Sequence, residues 1–195
     1  MAGTSVIEFN KIKICVNDQV YEPAEDTELM FEIINTEKNE KILEVGPGTG
    51  IISVSLALKG AEVTAIDINP YASEATLCTA KINKVQINII NGDLLSPIRP
   101  FVFDVAVFNP PYLPFEEYDS WIGYSWSGGK SGAESLIKFL SEVKASRIYT
   151  LYSSLTDEDA ILAELKNVGL CIKTKREKQI GLETLFGIEL VKCLG

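Results

Sequence analysis

A chain of 195 residues, 46% apolar and 23% charged, has the size and composition of one soluble domain with a substantial core. Its net charge of −9 repels phosphate backbones, which argues against nucleic acid as its direct partner. The absence of histidine and of any CxxC pair removes the usual zinc ligand sets, so no metal site is expected.

The opening "MAGTSVIEFNKIKI" lacks the apolar core of a signal peptide, and no stretch is long enough to cross a membrane. A cytoplasmic protein is therefore expected, with Cys15, Cys78, Cys171 and Cys193 as reduced core or strand residues. Cys171 and Cys193 are equidistant from Leu182 and could face each other along a terminal hairpin, without a disulfide being expected.

One domain is expected over 1–195, with residues 1 to about 40 forming a strand/helix extension over a cofactor site. "KILEV" (41–45) predicts a buried strand, followed by a glycine turn and a helix "IISVSLALK" ending at Gly60. "AEVTAID" (61–67) is a second strand, and Asn69 with Pro70 forms the cap and first turn of a helix reaching Asn83. "VQINII" (85–90) and "FVFDVAVF" (101–108) are the next strands. A helix over 134–143 and a strand over 147–153 follow. Thr156 and Asp159 resemble a capping box for a helix ending at Gly169. The tail alternates about a glycine-centred turn, as a β-hairpin does, and its "KTKREK" (173–178) is read as a solvated strand face. Strand–helix alternation implies a mostly parallel α/β sheet that binds ligands beyond the carboxyl ends of its strands.

"LEVGPGTG" (43–50) sets Gly46, Gly48 and Gly50 between a buried strand and a helix. Glycines there let the backbone approach a ligand, and the helix start offers free N–H groups to an anion. Asp67 ends the next strand about 20 residues on, where an acid accepts from two ribose hydroxyls. A dinucleotide fingerprint would need glycine where Ile51 stands, and Glu44 precedes the loop; both features fit S-adenosylmethionine better. In "NGDLL" (91–95), Asp93 is placed for an adenine amine and Leu94 for its ring.

"FNPPYLP" (108–114) follows a buried strand. Pro110 and Pro111 supply no N–H and fix φ, leaving carbonyl acceptors, and Asn109 adds a side-chain carbonyl. Rigid acceptors can grip both hydrogens of a planar NH₂ group while Tyr112 stacks on it. Such a nitrogen is a poor nucleophile because its lone pair is delocalised. Stabilising positive charge as it develops on nitrogen assists methyl transfer without a prior general base.

Taken together, "EVGPGTG", "NPPY", "YEPAEDT" (21–27) and "SWSGGKSG" (125–132) resemble the HemK-type release-factor glutamine methyltransferases, in their short archaeal and eukaryotic branch. The resemblance implies a class I methyltransferase fold, a seven-stranded sheet of order 3-2-1-4-5-7-6 ending in an antiparallel hairpin. It implies that Tyr21 and Thr27 hold the methionine end of the cofactor, with Glu44 and Gly46 lining it. Asp67 would take the ribose, and Asp93 with Leu94 the adenine. Asn109, Pro110, Pro111 and Tyr112 would handle the substrate amide. The implied substrate is the glutamine of the Gly-Gly-Gln motif in a class I release factor, with S-adenosylhomocysteine as by-product.

Bacterial members of that family carry an N-terminal helical domain for which this chain has no room. The short branch works with a small zinc-binding activator protein, expected here to pair with an apolar edge strand near Val85–Ile90. Trp126 reads equally as a core anchor or a substrate contact. Two other readings stand beside this one. The first is a tRNA or DNA amino-methyltransferase with the same Asn-Pro-Pro-Tyr chemistry, and the second is a non-catalytic nucleoside-binding scaffold.

Overall fold

The computed structural model describes residues 4–99 and 101–194. The chain opens with an antiparallel hairpin, β1 (Ser5–Phe9) and β2 (Ile12–Val16), turned through Asn10 and Lys11 at φ 50° and 65°. Helix α1 (Glu25–Ile33) follows, with Glu25, Asp26 and Glu28 in its first turn, where acids complement the helix dipole. Next come β3 (Lys41–Val45), α2 (Ile51–Leu58), β4 (Glu62–Asp67), α3 (Pro70–Ile82), β5 (Asn88–Asn91) and β6 (Phe103–Phe108). A short helix α4 (Trp121–Tyr124) leads to α5 (Glu134–Glu142), β7 (Ala145–Ser153), α6 (Glu158–Val168), β8 (Leu170–Ile180) and β9 (Glu183–Lys192).

Seven strands form one sheet of order β5-β4-β3-β6-β7-β9-β8. Strands β3 to β7 run parallel, and β9 lies antiparallel to both β7 and β8. This is the order 3-2-1-4-5-7-6 expected from the sequence, counted from β3. The period of two along each strand divides the core between two faces. Ile42, Val105, Val107, Tyr149 and Leu151 point to the face covered by α1, α2 and the N-terminal hairpin. Leu43, Val45, Ala106, Phe108, Ile148 and Tyr152 point to the face covered by α5 and α6. Strands buried on both faces read as continuous apolar runs, which is why "KILEV" and "FDVAVF" are legible.

The basic run in β8 is neutralised by acids from elsewhere: Lys173 pairs with Glu189, Lys175 with Glu158, Arg176 with Glu32 and Lys178 with Glu28. Its cations therefore serve the fold's own acidic surface.

Four local expectations need correction. The third strand begins at Asn88, because Val85 still donates its N–H to Ala80 at the end of α3 and Lys84 turns at φ 57°. Val85 and Ile87 pack against the core, so the apolar edge is smaller than the sequence suggests. The cap of α6 is Asp157, whose Oδ1 accepts from Ala160 N at 3.0 Å, while Thr156 is occupied elsewhere. The cysteines are paired: Cys15 with Cys78, joining β2 to α3, and Cys171 with Cys193, bridging the ends of the terminal hairpin. Folding brings the Cα atoms of these pairs to 6.0 and 5.1 Å, within the reach of a disulfide.

Candidate active site

The carboxyl ends of β3, β4, β5 and β6 meet where the strand order reverses, between β3 and β6. A cavity of about 470 Å³ opens there. One end is walled by Gly46, Gly48, Asp67, Asp93 and Leu94, the other by Asn109, Pro110, Pro111 and Tyr112. Tyr21, just before α1, and Asp26 and Thr27, in its first turn, close one side. Tyr118, Trp121, Tyr124 and Trp126 form an aromatic rim.

All three loop glycines adopt left-handed φ, at 64°, 56° and 78° for Gly46, Gly48 and Gly50. Gly50 lies off the cavity wall: a Cβ there would come within 2.8 Å of Thr76 Cα, so its role is to let α2 start against α3. Asp67 ends β4 with Oδ2 accepting from Gly48 N at 3.2 Å and Oδ1 from Asn69 N at 2.9 Å. Each carboxylate oxygen keeps a second lone pair. Burial pushes Asp67 up to about 6, opposed by those two N–H groups. Glu44, also buried, accepts from Ser53 Oγ and is pushed up to about 7 by burial first and by the charge of Asp67 as well. Asp93 is half exposed, with Oδ2 held by Lys138 Nζ at 2.7 Å. Leu94 beside it adopts φ 45°, a conformation uncommon for a residue with a branched side chain.

At the other end, Asn109 Nδ2 donates to Asp26 Oδ2 at 2.9 Å. Asn109 Oδ1 is buried and has no hydrogen-bond partner among the described residues. A buried unpaired acceptor costs free energy, on the order of 1–3 kcal/mol, and Asn109 lines the cavity, so its Oδ1 is free to accept from a molecule bound there. The Tyr21 and Tyr112 hydroxyls are both held protonated, by burial first and then by the negative charge of Asp26.

The proline segment is buttressed by two elements. Leu113 N donates to Trp126 O at 3.1 Å and Gly128 N to Leu113 O at 2.9 Å, tying it to the loop 125–132. A Cβ on Gly132 would lie 2.4 Å from Tyr112 O, so only glycine permits that approach. Thr156 Oγ1 donates to the same Tyr112 carbonyl at 2.9 Å. Trp126 lines the cavity and donates its indole N–H to Glu117 Oε2 at 3.3 Å, so it is both an anchor of the rim and part of the wall.

Every site residue expected from the sequence except Gly50 reaches this cavity. Sequence reasoning missed Asp26, Thr156, Ser53 and Lys138. Asp26 stood inside the quoted "YEPAEDT" without a role of its own, Ser53 reaches Glu44 from the helix nine residues on, and Thr156 and Lys138 are brought in from distant parts of the chain.

Residues 20–121 match the family model described as methyltransferase small domain. A Methanocaldococcus jannaschii protein, provisionally named protein N5-glutamine methyltransferase MJ0928, is 38% identical over 192 residues, covering 94% of this chain and 97% of its own. The human methyltransferase HEMK2 is 34% identical, covering 89% of this chain and 90% of its own. Among solved structures, the E. cuniculi Mtq2–Trm112 complex, described as responsible for methylation of the eRF1 termination factor, superposes with a TM-score of 0.72. That match has 30% identity and covers 90% of this chain and 99% of the solved one. The chain belongs to the methyltransferase small domain family, within the short HemK-type group that includes these relatives.

Proposed function

We propose that this protein is an S-adenosylmethionine-dependent N-methyltransferase acting on the glutamine amide of the Gly-Gly-Gln motif in a class I release factor. The observation that carries the reading is Asn109 Oδ1, a buried acceptor with no partner, beside two prolines that can only accept. The names of the M. jannaschii and E. cuniculi relatives support the glutamine and the termination factor.

The cavity suits the cofactor. Asp67 offers free lone pairs for the two ribose hydroxyls, Asp93 and Leu94 an edge and a face for adenine, and Tyr21, Thr27, Glu44 and Gly46 the walls for the methionine end. When bound, S-adenosylmethionine supplies an electrophilic methyl group on a sulfonium. Asn109 Oδ1 and the Pro110 carbonyl accept from the two hydrogens of the substrate amide, and Tyr112 stacks on its plane. As nitrogen gains positive charge, these fixed acceptors stabilise it without reorganising. The nitrogen–carbon bond forms as the methyl's bond to sulfur breaks, the cationic nitrogen then loses a proton to solvent, and the products are N5-methylglutamine and S-adenosylhomocysteine.

A protein substrate fits the rim. Glu116, Glu117 and Asp119, all exposed, lie in the same segment as Tyr118 and Trp121, and would repel a phosphate backbone. We read the chain as one cytoplasmic methyltransferase domain, with residues 1 to about 40 as an extension over the cofactor. Strand β5 has one neighbour in the sheet, and Leu77 and Ile82 are exposed on the adjoining α3. The complex of E. cuniculi Mtq2 with Trm112 supports a partner protein; we propose that the partner is a small zinc-binding activator and that it pairs at this edge, on the part of 85–90 and beyond that forms β5. Full solubility and activity of the isolated chain would refute that partner.

The test is incubation of the protein, alone and with a Trm112-type partner, with methyl-labelled cofactor, a class I release factor, tRNA and DNA, followed by separation of protein from nucleic acid and mass spectrometry of the Gly-Gly-Gln peptide. Label on the glutamine amide is expected. Label on tRNA or DNA, with none on the release factor, would overturn the substrate.

A further inference from the structure

A side-chain amide has two ends of similar size and opposite chemistry, and only one of them helps this reaction. If Asn109 presented Nδ2 to the substrate, donors would face donors. The active site therefore needs a device that sets which way this amide points.

Asp26 is that device in chemical terms. Its side chain is buried, at 4% exposure, and occupies the second position of α1 near the positive end of the helix dipole. One oxygen, Oδ1, is claimed by Thr27 N at 2.7 Å and by Thr27 Oγ1 at 3.3 Å. The other, Oδ2, faces Asn109 Nδ2 at 2.9 Å. A carboxylate only accepts, so turning the Asn109 amide over would set oxygen against oxygen. The bond is charge-assisted, and its polarisation of the amide makes Oδ1 a stronger acceptor at the opposite end.

We propose that Asp26 is a positioning residue for methyl transfer, holding the Asn109 amide so that Oδ1 alone is offered to the reacting nitrogen. The inference rests on the function proposed above for Asn109. It assigns to the "AED" of residues 24–26 a task beyond starting a helix.

The decisive variant is isosteric. In Asp26→Asn the backbone N–H of Thr27 keeps the amide oxygen, and an NH₂ group is left facing Asn109. Asn109 then turns over and presents donors to the substrate. The variant should fold and bind S-adenosylhomocysteine with calorimetric affinity near wild type, with KM for the peptide little changed. Its kcat should fall by about 100-fold, as expected for a misaligned reacting group. The double variant Asp26→Asn/Asn109→Asp restores complementarity, because the new amide donates to one carboxylate oxygen and the other faces the substrate. It should regain at least about tenfold in kcat over Asp26→Asn, a coupling that a packing role would not produce. In ¹⁵N spectra, the Asn109 side-chain NH₂ resonances should shift in Asp26→Asn, whatever the substrate.

Undiminished kcat in Asp26→Asn, no recovery in the double variant, or unmoved Asn109 resonances would each overturn the proposal. So would parallel loss of cofactor affinity and kcat, which would make Asp26 a structural residue. Wild-type activity on the peptide that Asn109→Ala abolishes and Asp26→Asn leaves intact would refute this inference alone. Transfer only to a nucleic-acid amine would refute the substrate, and the same variants run on that amine, with the Asn109 resonances, would still decide the role of Asp26.

Discussion

Asn109 carries two demands at once: a donor spoken for by Asp26 and an acceptor left free. Replacing it with alanine removes the acceptor that strengthens as nitrogen becomes positive. Asn109→Ala should lower methyl transfer by about 100-fold or more while leaving cofactor affinity within a few-fold, measured by kinetics and calorimetry. Asp67 and Glu44 make a second, pH-dependent statement. Their folded pKa values, about 6 and about 7, lie above ordinary carboxyl values, so the native state holds protons that the unfolded chain has released. Their contribution to stability is full below about pH 4 and is lost as pH rises towards about 7. Cofactor binding has the opposite sign. Ribose hydroxyls donate to the ionised carboxylate and the sulfonium is a cation, so affinity should rise between about pH 5.5 and 7.5. Asp67→Asn should weaken binding and remove the lower step of that rise, read from dissociation constants across the range.

At the scale of elements, the proline segment is held by its neighbours more than by its own rigidity. Gly132, at φ 76°, lets the loop 125–132 pass against the Tyr112 carbonyl. Gly132→Ala forces both an unfavourable φ and a clash with backbone, and should cost about 1–3 kcal/mol in thermal unfolding while displacing Tyr112 and suppressing turnover. Thr156 grips the same carbonyl from beyond β7, which is why it does not cap α6. The disulfides act on whole elements too. Cys15–Cys78 closes a span of 63 residues and Cys171–Cys193 one of 22. In the chain-entropy model the longer loop restrains the unfolded state more, both lying near 3–5 kcal/mol. Denaturant titration should therefore show a larger loss for Cys15→Ser than for Cys171→Ser.

For the molecule as a whole, the parallel sheet was readable because strands buried on both faces must be continuously apolar, and helices must separate them. "KILEV" and "FDVAVF" could be little else. The glycine loop, Asp67 and the Asn-Pro-Pro-Tyr run were readable because each departs from what a turn needs. Local rules failed where a distant partner outweighs a local one. Val85 follows the end of α3 instead of starting a strand, and Thr156 serves Tyr112 instead of α6. The hairpin spacing sets Cys171 opposite Cys193 but does not fix their Cα separation, and nothing in the spacing of Cys15 and Cys78 brings that pair together. A partner for Asn109 could not be inferred from an acid 83 residues away that already had a role in a helix turn. The sequence by itself determined the fold class and the chemical types gathered at the strand ends, since periodicity and turn chemistry are local properties, while the strand order came from the family that its motifs resemble. Only the tertiary structure decided which cysteines meet, how Lys173 to Lys178 are neutralised and which way the Asn109 amide points, since each depends on a contact between residues far apart in the chain.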